Sequence, residues 1–380
     1  MVAFAGQNER HTDAEDGETS YTYDMLGNRL TLTDPADNTT TWVYDGLGRM
    51  IEETNELSLT RYFTYNAAGL LVEKTDRAGR TTTYEYDNLY RLTAENWLDA
   101  QEQVVYNISY AYDAAGRLLT TEDTNDTKYE YEYDNLGRVI EETQTFSDSP
   151  TIVLTYRYDA NGNVTETACT VGETADYVIE CTYDDLNRVT RVDQHGAAGG
   201  NAVAEKRIDL TYDANGQYDT IAYYSDLDGG SGNLVMTATY TYDNDGRLTN
   251  LLYEDSTPAT IRSFSWTYNA AGWITSHDSD VATEDVTAYS YDATGQLLGA
   301  DYASIDDEAY TYDAAGNRIT ANGDTYTTGD ANHTTSDGTY SYLYDNEGNL
   351  FANSTASILV EASILLYDIP CSTKGFSVAR

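Results

Sequence analysis

The chain has 380 residues, of which 40% are hydrophobic, and its formal net charge is −43 at pH 7. So acidic a surface repels nucleic acid and anionic membranes, so we expect the protein to bind neither. No stretch approaches the length of a membrane span, and Val2-Ala3-Phe4-Ala5 is too short for the core of a signal peptide.

After a polar N-terminal segment, residues 1–20, one motif recurs almost to the end of the chain. Its first copy is Tyr23-Asp24-Met25-Leu26-Gly27-Asn28, and successive copies lie 21 to 32 residues apart. Self-similarity with such a period indicates a repeat architecture. We predict one repeat domain over residues 21–350. The fourteen repeat tyrosines are Tyr23, Tyr44, Tyr65, Tyr86, Tyr112, Tyr133, Tyr158, Tyr183, Tyr212, Tyr242, Tyr268, Tyr291, Tyr312 and Tyr344.

The copies share the pattern aromatic-x-Tyr-Asp-x-x-Gly, with the aromatic, the Asp and the Gly each present in twelve of the fourteen copies, and the pattern predicts a β-hairpin. The two aromatic positions are two residues apart and therefore share one face of a strand. Asp begins turns through its side chain, and Gly accepts the positive φ of a hairpin loop with a Gly bulge. The clearest copies are Tyr23, Asp24 and Gly27; Tyr44, Asp45 and Gly48; Tyr112, Asp113 and Gly116; Tyr133, Asp134 and Gly137; Tyr242, Asp243 and Gly246; and Tyr312, Asp313 and Gly316.

A unit of about 21 residues has room for two strands and two turns, so fourteen units predict roughly 28 strands. The predicted fold is all-β, with serial antiparallel hairpins in one long, twisted sheet. The last residues, 351–380, lack the motif and contain Cys371. They are either a divergent cap or the result of a truncated reading frame.

The repeated Tyr-Asp-x-x-Gly motif resembles the YD repeat of the Rhs family, over about residues 20–350. That family includes bacterial Rhs toxins, wall-associated proteins, shell components of insecticidal toxin complexes, and animal teneurins. The resemblance implies a sheet that spirals into a hollow shell, which in the toxins holds a C-terminal effector. It also implies export, with the signal outside this chain, as part of a longer secreted or cell-surface protein.

The predicted sheet is too small to enclose an effector by itself. About 28 strands spaced ~4.8 Å apart form a ribbon roughly 135 Å wide. A shell around a folded domain of about 100 residues needs a circumference near ~165 Å. We therefore expect a non-catalytic structural segment whose partners are an encapsulated effector or other shell segments.

The alternative function is a cell-surface carbohydrate-binding or adhesion module. It rests on the 36 tyrosines and on two tryptophans, Trp97 and Trp273, as rings that would stack on sugars from an exposed face. The competing interpretation is structural: the aromatic rings pack in ladders on the inner face of the sheet.

No residues stand out as catalytic or cofactor-binding. The four His have no zinc-site spacing, so we predict that they lie on the surface. Asp226 and Asp228 resemble part of a calcium loop, but the Glu that such a loop needs at its twelfth position is missing. We therefore predict an acidic hairpin tip there.

Six arginines follow the motif glycine, or the residue in its place, and we predict that they form exposed ion pairs between adjacent hairpins. Each such pair would contribute little to stability. These arginines are Arg49, Arg91, Arg117, Arg138, Arg188 and Arg247.

Two cysteines, Cys169 and Cys181, flank a predicted turn at residues 172–176. A symmetric hairpin about that turn would place residue 181 opposite residue 167, so the two thiols would pair only with a shift in register. We predict free thiols, and their pairing is left open.

Overall fold

The computed structural model describes residues 8–13, 16–230, 232–281, 285–329, 333–344 and 350–353. In these residues the secondary structure consists of 32 β-strands, and no helix is present. One antiparallel sheet contains 28 of the strands. The predicted all-β fold of serial antiparallel hairpins is confirmed.

The described residues fall into two compact units. Unit 1 contains those within residues 1–90, 95–105 and 266–363, and unit 2 contains those within residues 91–94 and 106–265. In both units the strands pair antiparallel with their neighbours in the sequence.

The strands of unit 1 are short and regular. Strands β1 to β8 pair in chain order, as do β23 to β28, and β29–β30 and β31–β32 are separate pairs. Their bounds are β1 Asn8–Thr12, β2 Glu18–Tyr23, β3 Arg29–Thr33, β4 Thr39–Tyr44, β5 Met50–Thr54, β6 Thr60–Tyr65, β7 Leu71–Thr75, β8 Thr81–Tyr86, β23 Ile274–Ser279, β24 Val286–Tyr291, β25 Leu297–Tyr302, β26 Glu308–Tyr312, β27 Arg318–Ala321, β28 Asp324–Thr325, β29 Thr327–Thr328, β30 Thr334–Ser336, β31 Tyr342–Tyr344 and β32 Leu350–Asn353.

The strands of unit 2 are longer, with up to ten residues. They are β11 Leu118–Asp123, β12 Lys128–Tyr133, β13 Val139–Phe146, β14 Ser149–Tyr158, β15 Val164–Val171, β16 Thr174–Tyr183, β17 Val189–Gly196, β18 Lys206–Tyr212, β19 Tyr218–Tyr224, β20 Leu234–Tyr242 and β21 Leu248–Asp255. Three further strands have residues in both units: β9 Leu92–Leu98, β10 Val104–Tyr112 and β22 Thr260–Tyr268.

The two faces of some strands, such as β4 and β6, differ in exposure, as expected from period-2 alternation. In β4, Trp42 and Tyr44 are half-buried, whereas Thr41 and Val43 on the opposite face are exposed. The motif aromatics therefore share the less exposed face, which confirms the spacing argument.

Few side chains are fully buried in either unit. The buried hydrophobic residues of the described chain are Cys169, Cys181, Val192, Ile221 and Ala238 in unit 2, and Val286, Ala300 and Ala321 in unit 1. A repeat protein of this kind is stabilised mainly by contacts between neighbouring repeats, because no unit has a closed core of its own.

The hairpin that contains the cysteines differs from the predicted one. Val171 pairs with Thr174, so the loop is only two residues long, and Thr167 faces Ile179. The predicted pairing of residue 181 with residue 167 was wrong, because the real turn is shorter than the polar stretch that marked it. Cys169 is a buried free thiol, as predicted, so it does not pair with Cys181. Cys181 is disulfide-bonded, so the prediction of a free thiol was wrong for this residue.

Two predicted features lie outside the described residues: the turn of the fourteenth repeat, residues 345–348, and the tail beyond residue 353, which includes Cys371.

Candidate functional site

In the repeats that the structure describes, the turn is built by the Asp of the motif, or by Asn at Asn66 and Asn269. In the Asp45 turn, the carboxylate Oδ1 accepts the backbone N–H groups of Leu47, at 2.8 Å, and Arg49, at 3.0 Å. The backbone N–H of Gly48 donates to the Asp45 carbonyl at 3.0 Å, and Gly48 has a φ of 77°. This is a type I turn followed by a Gly bulge, as the motif predicts.

Two repeats lack the motif glycine yet have the same turn. Tyr90 and Asn187 stand at the glycine position with φ values of 65° and 61°. Asn adopts this left-handed conformation readily, whereas Tyr does so at some cost. Tyr90 is 64% exposed, so its side chain contributes little packing. What the turn requires at this position is the positive φ of the backbone.

The arginine after the motif glycine forms an ion pair inside its own turn. Arg138 contacts Asp134 Oδ2 through Nε at 2.7 Å and through Nη2 at 2.6 Å, and both side chains are half-buried. The prediction of exposed ion pairs between adjacent hairpins was wrong, because the tight turn folds a residue four positions on back against the Asp. The equivalent pairs are Arg49–Asp45, Arg80–Asp76, Arg117–Asp113, Arg188–Asp184 and Arg247–Asp243.

These contacts favour the ionised form of the Asp. The pKa of Asp45 is lowered by the hydrogen bond from the Arg49 side chain and by the bond from its backbone N–H. The pKa of Asp134 is lowered first by the backbone N–H of Arg138 and further by its guanidinium.

The same arginine also reaches the next hairpin. Arg138 Nη1 donates to the carbonyl of Asp159 at 3.3 Å, and its guanidinium lies 4.4 Å from the ring centroid of Tyr158. Each cation–π contact is worth about 0.5–1 kcal/mol at an exposed site and more when it is desolvated. The other such pairs are Arg49 on Tyr65, Arg91 on Tyr112, Arg117 on Tyr133 and Arg188 on Tyr212.

The repeat tyrosine completes the link in the opposite direction. The Tyr133 hydroxyl donates to the carbonyl of Leu118, in the previous repeat, at 2.6 Å. The same bond joins Tyr65 to Met50, Tyr86 to Leu71, Tyr112 to Leu92, Tyr158 to Val139, Tyr183 to Val164, Tyr212 to Val189, and Tyr291 to Ile274. Where the arginine is present, as at Arg117 and Arg138, successive repeats are therefore joined by two polar contacts besides the backbone ladder. Their only sequence signal is the regular spacing of Asp, Arg and Tyr along the repeats.

Trp273 occupies the arginine position of its repeat and packs like an arginine. Its ring is half-buried and lies 5.3 Å from the ring of Tyr291, the tyrosine of the next repeat. The arrangement gives Trp273 a structural contact with its neighbour. Its role as a sugar-stacking residue stays a prediction.

Trp97 lies in a cleft of about 580 Å³ in unit 1. Its indole Nε1 donates to Glu95 Oε1 at 2.7 Å, and the side chain is half-buried. Lys74, Arg80 and Tyr84 also line this cleft. The cleft brings a tryptophan face together with charged groups, and sugar binding there also stays a prediction.

The candidate metal ligands do not converge. Asp226 Oδ1 accepts the backbone N–H of Asp228 at 3.1 Å, as in an ordinary turn. Within the described residues, no group of three or more His, Cys, Asp or Glu is placed to hold a metal ion.

Of the four histidines, His11 is exposed, as predicted, but the others are half-buried. His277 stacks on Trp266 at 5.7 Å, and His333 stacks on Tyr344 at 4.5 Å. His195, His277 and His333 are thus less exposed than predicted, and for His277 and His333 the reason is that the aromatic rings of the sheet offer flat partners to an imidazole.

Over the ranges that the structure describes, no helix is long and apolar enough to cross a membrane.

Two family models match the sequence. One, described as RHS Repeat, matches residues 9–39, 65–96 and 112–148, and the other, described as Teneurin YD-shell, matches residues 235–362. No curated protein sequence matches the chain.

Solved structures share the fold. The crystal structure of TcdB2-TccC3 without its hypervariable C-terminal region aligns with a TM-score of 0.56 and 14% identity, over 92% of this chain and 21% of that chain. The TcdB2-TccC3-TEV structure aligns with a TM-score of 0.54 and 15% identity, over 92% of this chain and 24% of that chain. This chain thus spans less than a quarter of the length of either. The repeats, their cross-linked turns and both family models identify the chain as a member of the Rhs/YD-repeat family.

Proposed function

We propose that this chain is a non-catalytic segment of a β-shell that encapsulates or presents a toxin effector in a secreted or cell-surface protein. The observation that carries the proposal is the two-way link between successive repeats. Arg138 bonds forward to the Asp159 carbonyl, and Tyr158 bonds back to the Val139 carbonyl. Links of this kind stabilise a long sheet whose repeats have little core of their own.

The small size of the sheet indicates which partners the segment would need. The chain covers 21% and 24% of the two TcdB2-TccC3 chains with which it shares a fold. Its own ribbon, about 135 Å wide, is shorter than one turn around a folded effector. The segment would therefore act together with other shell segments and with the effector that they surround.

The proposed domain organisation keeps the repeat domain at residues 21–350, between the polar segment 1–20 and the tail 351–380. Strand β1, Asn8–Thr12, extends the sheet into the polar segment because it pairs with β2.

The first experiment is size-exclusion chromatography with light scattering on the purified chain, with far-UV circular dichroism on the same peak. A shell segment has open strand edges, so we expect β-rich oligomers. The backbone N–H of Asp13 bonds to the Gly17 carbonyl, so the N–H of the preceding residue, Thr12, points away from β2 toward the open edge. Thr12→Pro removes that outward N–H and should reduce the association. A soluble β-rich monomer would contradict the proposal and favour a stand-alone module.

A second experiment tests the cargo. The protein is purified from its native host, treated with protease, and the surviving polypeptides are identified by mass spectrometry. We expect an effector polypeptide that survives only while the sheet is folded. If no second polypeptide is protected, the sheet does not enclose one.

A further inference from the structure

The regular repeats of this chain contain a binding site for a guanidinium group. In the Asp113 turn, Arg117 Nε contacts Asp113 Oδ2 at 2.6 Å, and Nη1 donates to the Asp134 carbonyl at 3.1 Å. The same guanidinium lies 4.7 Å from the ring centroid of Tyr133. A carboxylate, a carbonyl and a tyrosine face thus surround one planar cation, the geometry that guanidinium groups favour.

The Asp213 turn has the same acceptors but a different residue at the arginine position. Gln217 stands there, and its amide donates to the carbonyl of Gly246 at 2.7 Å. Asp213 Oδ1 accepts the backbone N–H groups of Asn215 and Gln217. Asp213 Oδ2, which receives the arginine in other turns, accepts no hydrogen bond from the residues that the structure describes.

In other repeats without the arginine, the Oδ2 atom of the Asp accepts a hydrogen bond from another side chain, or the Asp is replaced by Asn. Asn28 and Asn163 donate from their amides to the Oδ2 atoms of Asp24 and Asp159. Where the arginine position holds Leu70 or Trp273, neither of which can bond a carboxylate, the turn begins with Asn66 or Asn269 instead of Asp. Among the Tyr-Asp turns that the structure describes, the Oδ2 atom therefore lacks a side-chain donor only where glutamine follows, at Asp213 and Asp292.

The space beside Asp213 is an open cleft. It has a volume of about 360 Å³ and is lined by Asp213 and Asp243, and by the rings of Tyr218, Tyr240 and Tyr242. Burial raises the pKa of Tyr242, and the negative charge of Asp213 raises it further. Burial also raises the pKa of Tyr133, but there the neighbouring Arg117 acts to lower it. At the Asp213 turn, the negative charge of Asp213 thus acts on Tyr242, and no arginine offsets it.

We propose that the cleft between the Asp213 and Asp243 turns binds the guanidinium of an arginine side chain supplied by a partner polypeptide. Asp213 Oδ2 would form the ion pair, the Asp243 carbonyl would accept the second N–H, and Tyr242 would offer its face. The net charge of −43 favours a basic partner. The proposal does not depend on the shell function, because it rests on the equivalent turns of this chain.

A second cleft also lies between two Asp turns, beside the tyrosine of the next repeat. Gln296 follows Asp292, and a space of about 290 Å³ is lined by these two residues together with Tyr312, Asp313 and Asn38. Asp292 Oδ1 accepts the backbone N–H of Gln296, as in the Asp213 turn. We assign the same ligand to this cleft.

The test measures binding of N-acetyl-arginine methylamide to the intact chain by ligand-observed NMR, with N-acetyl-lysine methylamide for comparison. Gln217→Arg should fill the first cleft from within and roughly halve the bound ligand. Combination with Gln296→Arg should abolish binding. Asp213→Asn should weaken binding at the first cleft several-fold and still fold, because Asn serves the same turn at Asn66 and Asn269.

Asp159→Asn is the matched control. It removes one turn carboxylate that Asn163 already bonds, so binding should be unchanged. If the lysine compound binds as tightly as the arginine compound, the proposal is wrong. It is also wrong if Asp159→Asn and Asp213→Asn weaken binding equally. Either result would show that the acidic surface attracts any cation without a specific site. A Gly-Ser-Arg-Ser-Gly peptide should bind at least as tightly as the capped arginine; weaker binding would argue against a polypeptide ligand.

Discussion

The guanidinium of Arg138 lies 4.4 Å from the ring centroid of Tyr158, and the hydroxyl of Tyr158 donates to the carbonyl of Val139, the residue after Arg138. The arginine of one repeat and the tyrosine of the next therefore hold each other in place. Each of these contacts joins neighbouring repeats. Their loss should therefore weaken the interface between those repeats and lower the stability of the sheet.

Replacement of the arginine should be costly. Arg138→Gln removes the ion pair with Asp134, the bond to the Asp159 carbonyl and the stacking on Tyr158, so we expect about 1–2 kcal/mol of destabilisation. Chemical denaturation measures the change. The control is Arg157→Gln, because the Arg157 side chain is 75% exposed and its pair with Glu166 should be worth about 0–1 kcal/mol. Equal losses in both variants would show that the bridge between repeats contributes nothing.

The requirement for glycine at the positive-φ position can be tested by comparing two glycines of the same turn. Gly48 has a φ of 77°, so Gly48→Val should destabilise the protein by about 1–3 kcal/mol, since a β-branched residue resists positive φ. Gly46, in the same turn, is not among the positive-φ residues, and a Cβ there would meet nothing within 4 Å. Gly46→Val should therefore have a smaller effect. The measurement is the free energy of unfolding, and similar values for the two variants would refute the turn assignment.

The tyrosine hydroxyl makes a separate contribution. Tyr133→Phe leaves the ring but removes the donor to the Leu118 carbonyl, so we expect about 1–2 kcal/mol of destabilisation. Tyr62→Phe is the control, because the Tyr62 side chain is 50% exposed. Thermal unfolding of the two variants should differ; an unchanged melting temperature for Tyr133→Phe would mean that water replaces the bond.

Stability should fall at alkaline pH. Burial raises the pKa of Tyr183 and of Tyr212 from 10.0 to about 12. The neutral phenol is thus favoured in the folded state. Its contribution to stability is complete below about pH 10 and is lost as the pH rises toward 12 and beyond.

Tyrosinate absorbance and circular dichroism, recorded together, check this pH dependence. We expect buried tyrosines to ionise late and in step with the loss of β structure. Complete ionisation near pH 10 with an intact sheet would contradict the burial of these hydroxyls.

The sequence determined the class of fold by itself, because the relevant forces are local. Asp45 and Gly48 specify a turn through one side-chain acceptor and one positive φ, and Trp42 and Tyr44 share a face because strands alternate every residue. Fourteen copies of that local code leave serial hairpins as the outcome. The same code led to an error at residues 172–176, where a polar stretch suggested a longer turn than the two-residue loop between Val171 and Thr174.

Only the tertiary structure decided what the repeats do to one another. The pattern shows that Arg follows Gly, but it does not show whether Arg138 pairs with its own Asp134 or with the next hairpin. That choice depends on how the turn folds back and on the few ångströms between adjacent turns. The clefts at Asp213 and Asp292 arise for the same reason, because a glutamine side chain is too short to make all the contacts of an arginine, and only the spatial arrangement of successive turns shows which contacts are lost.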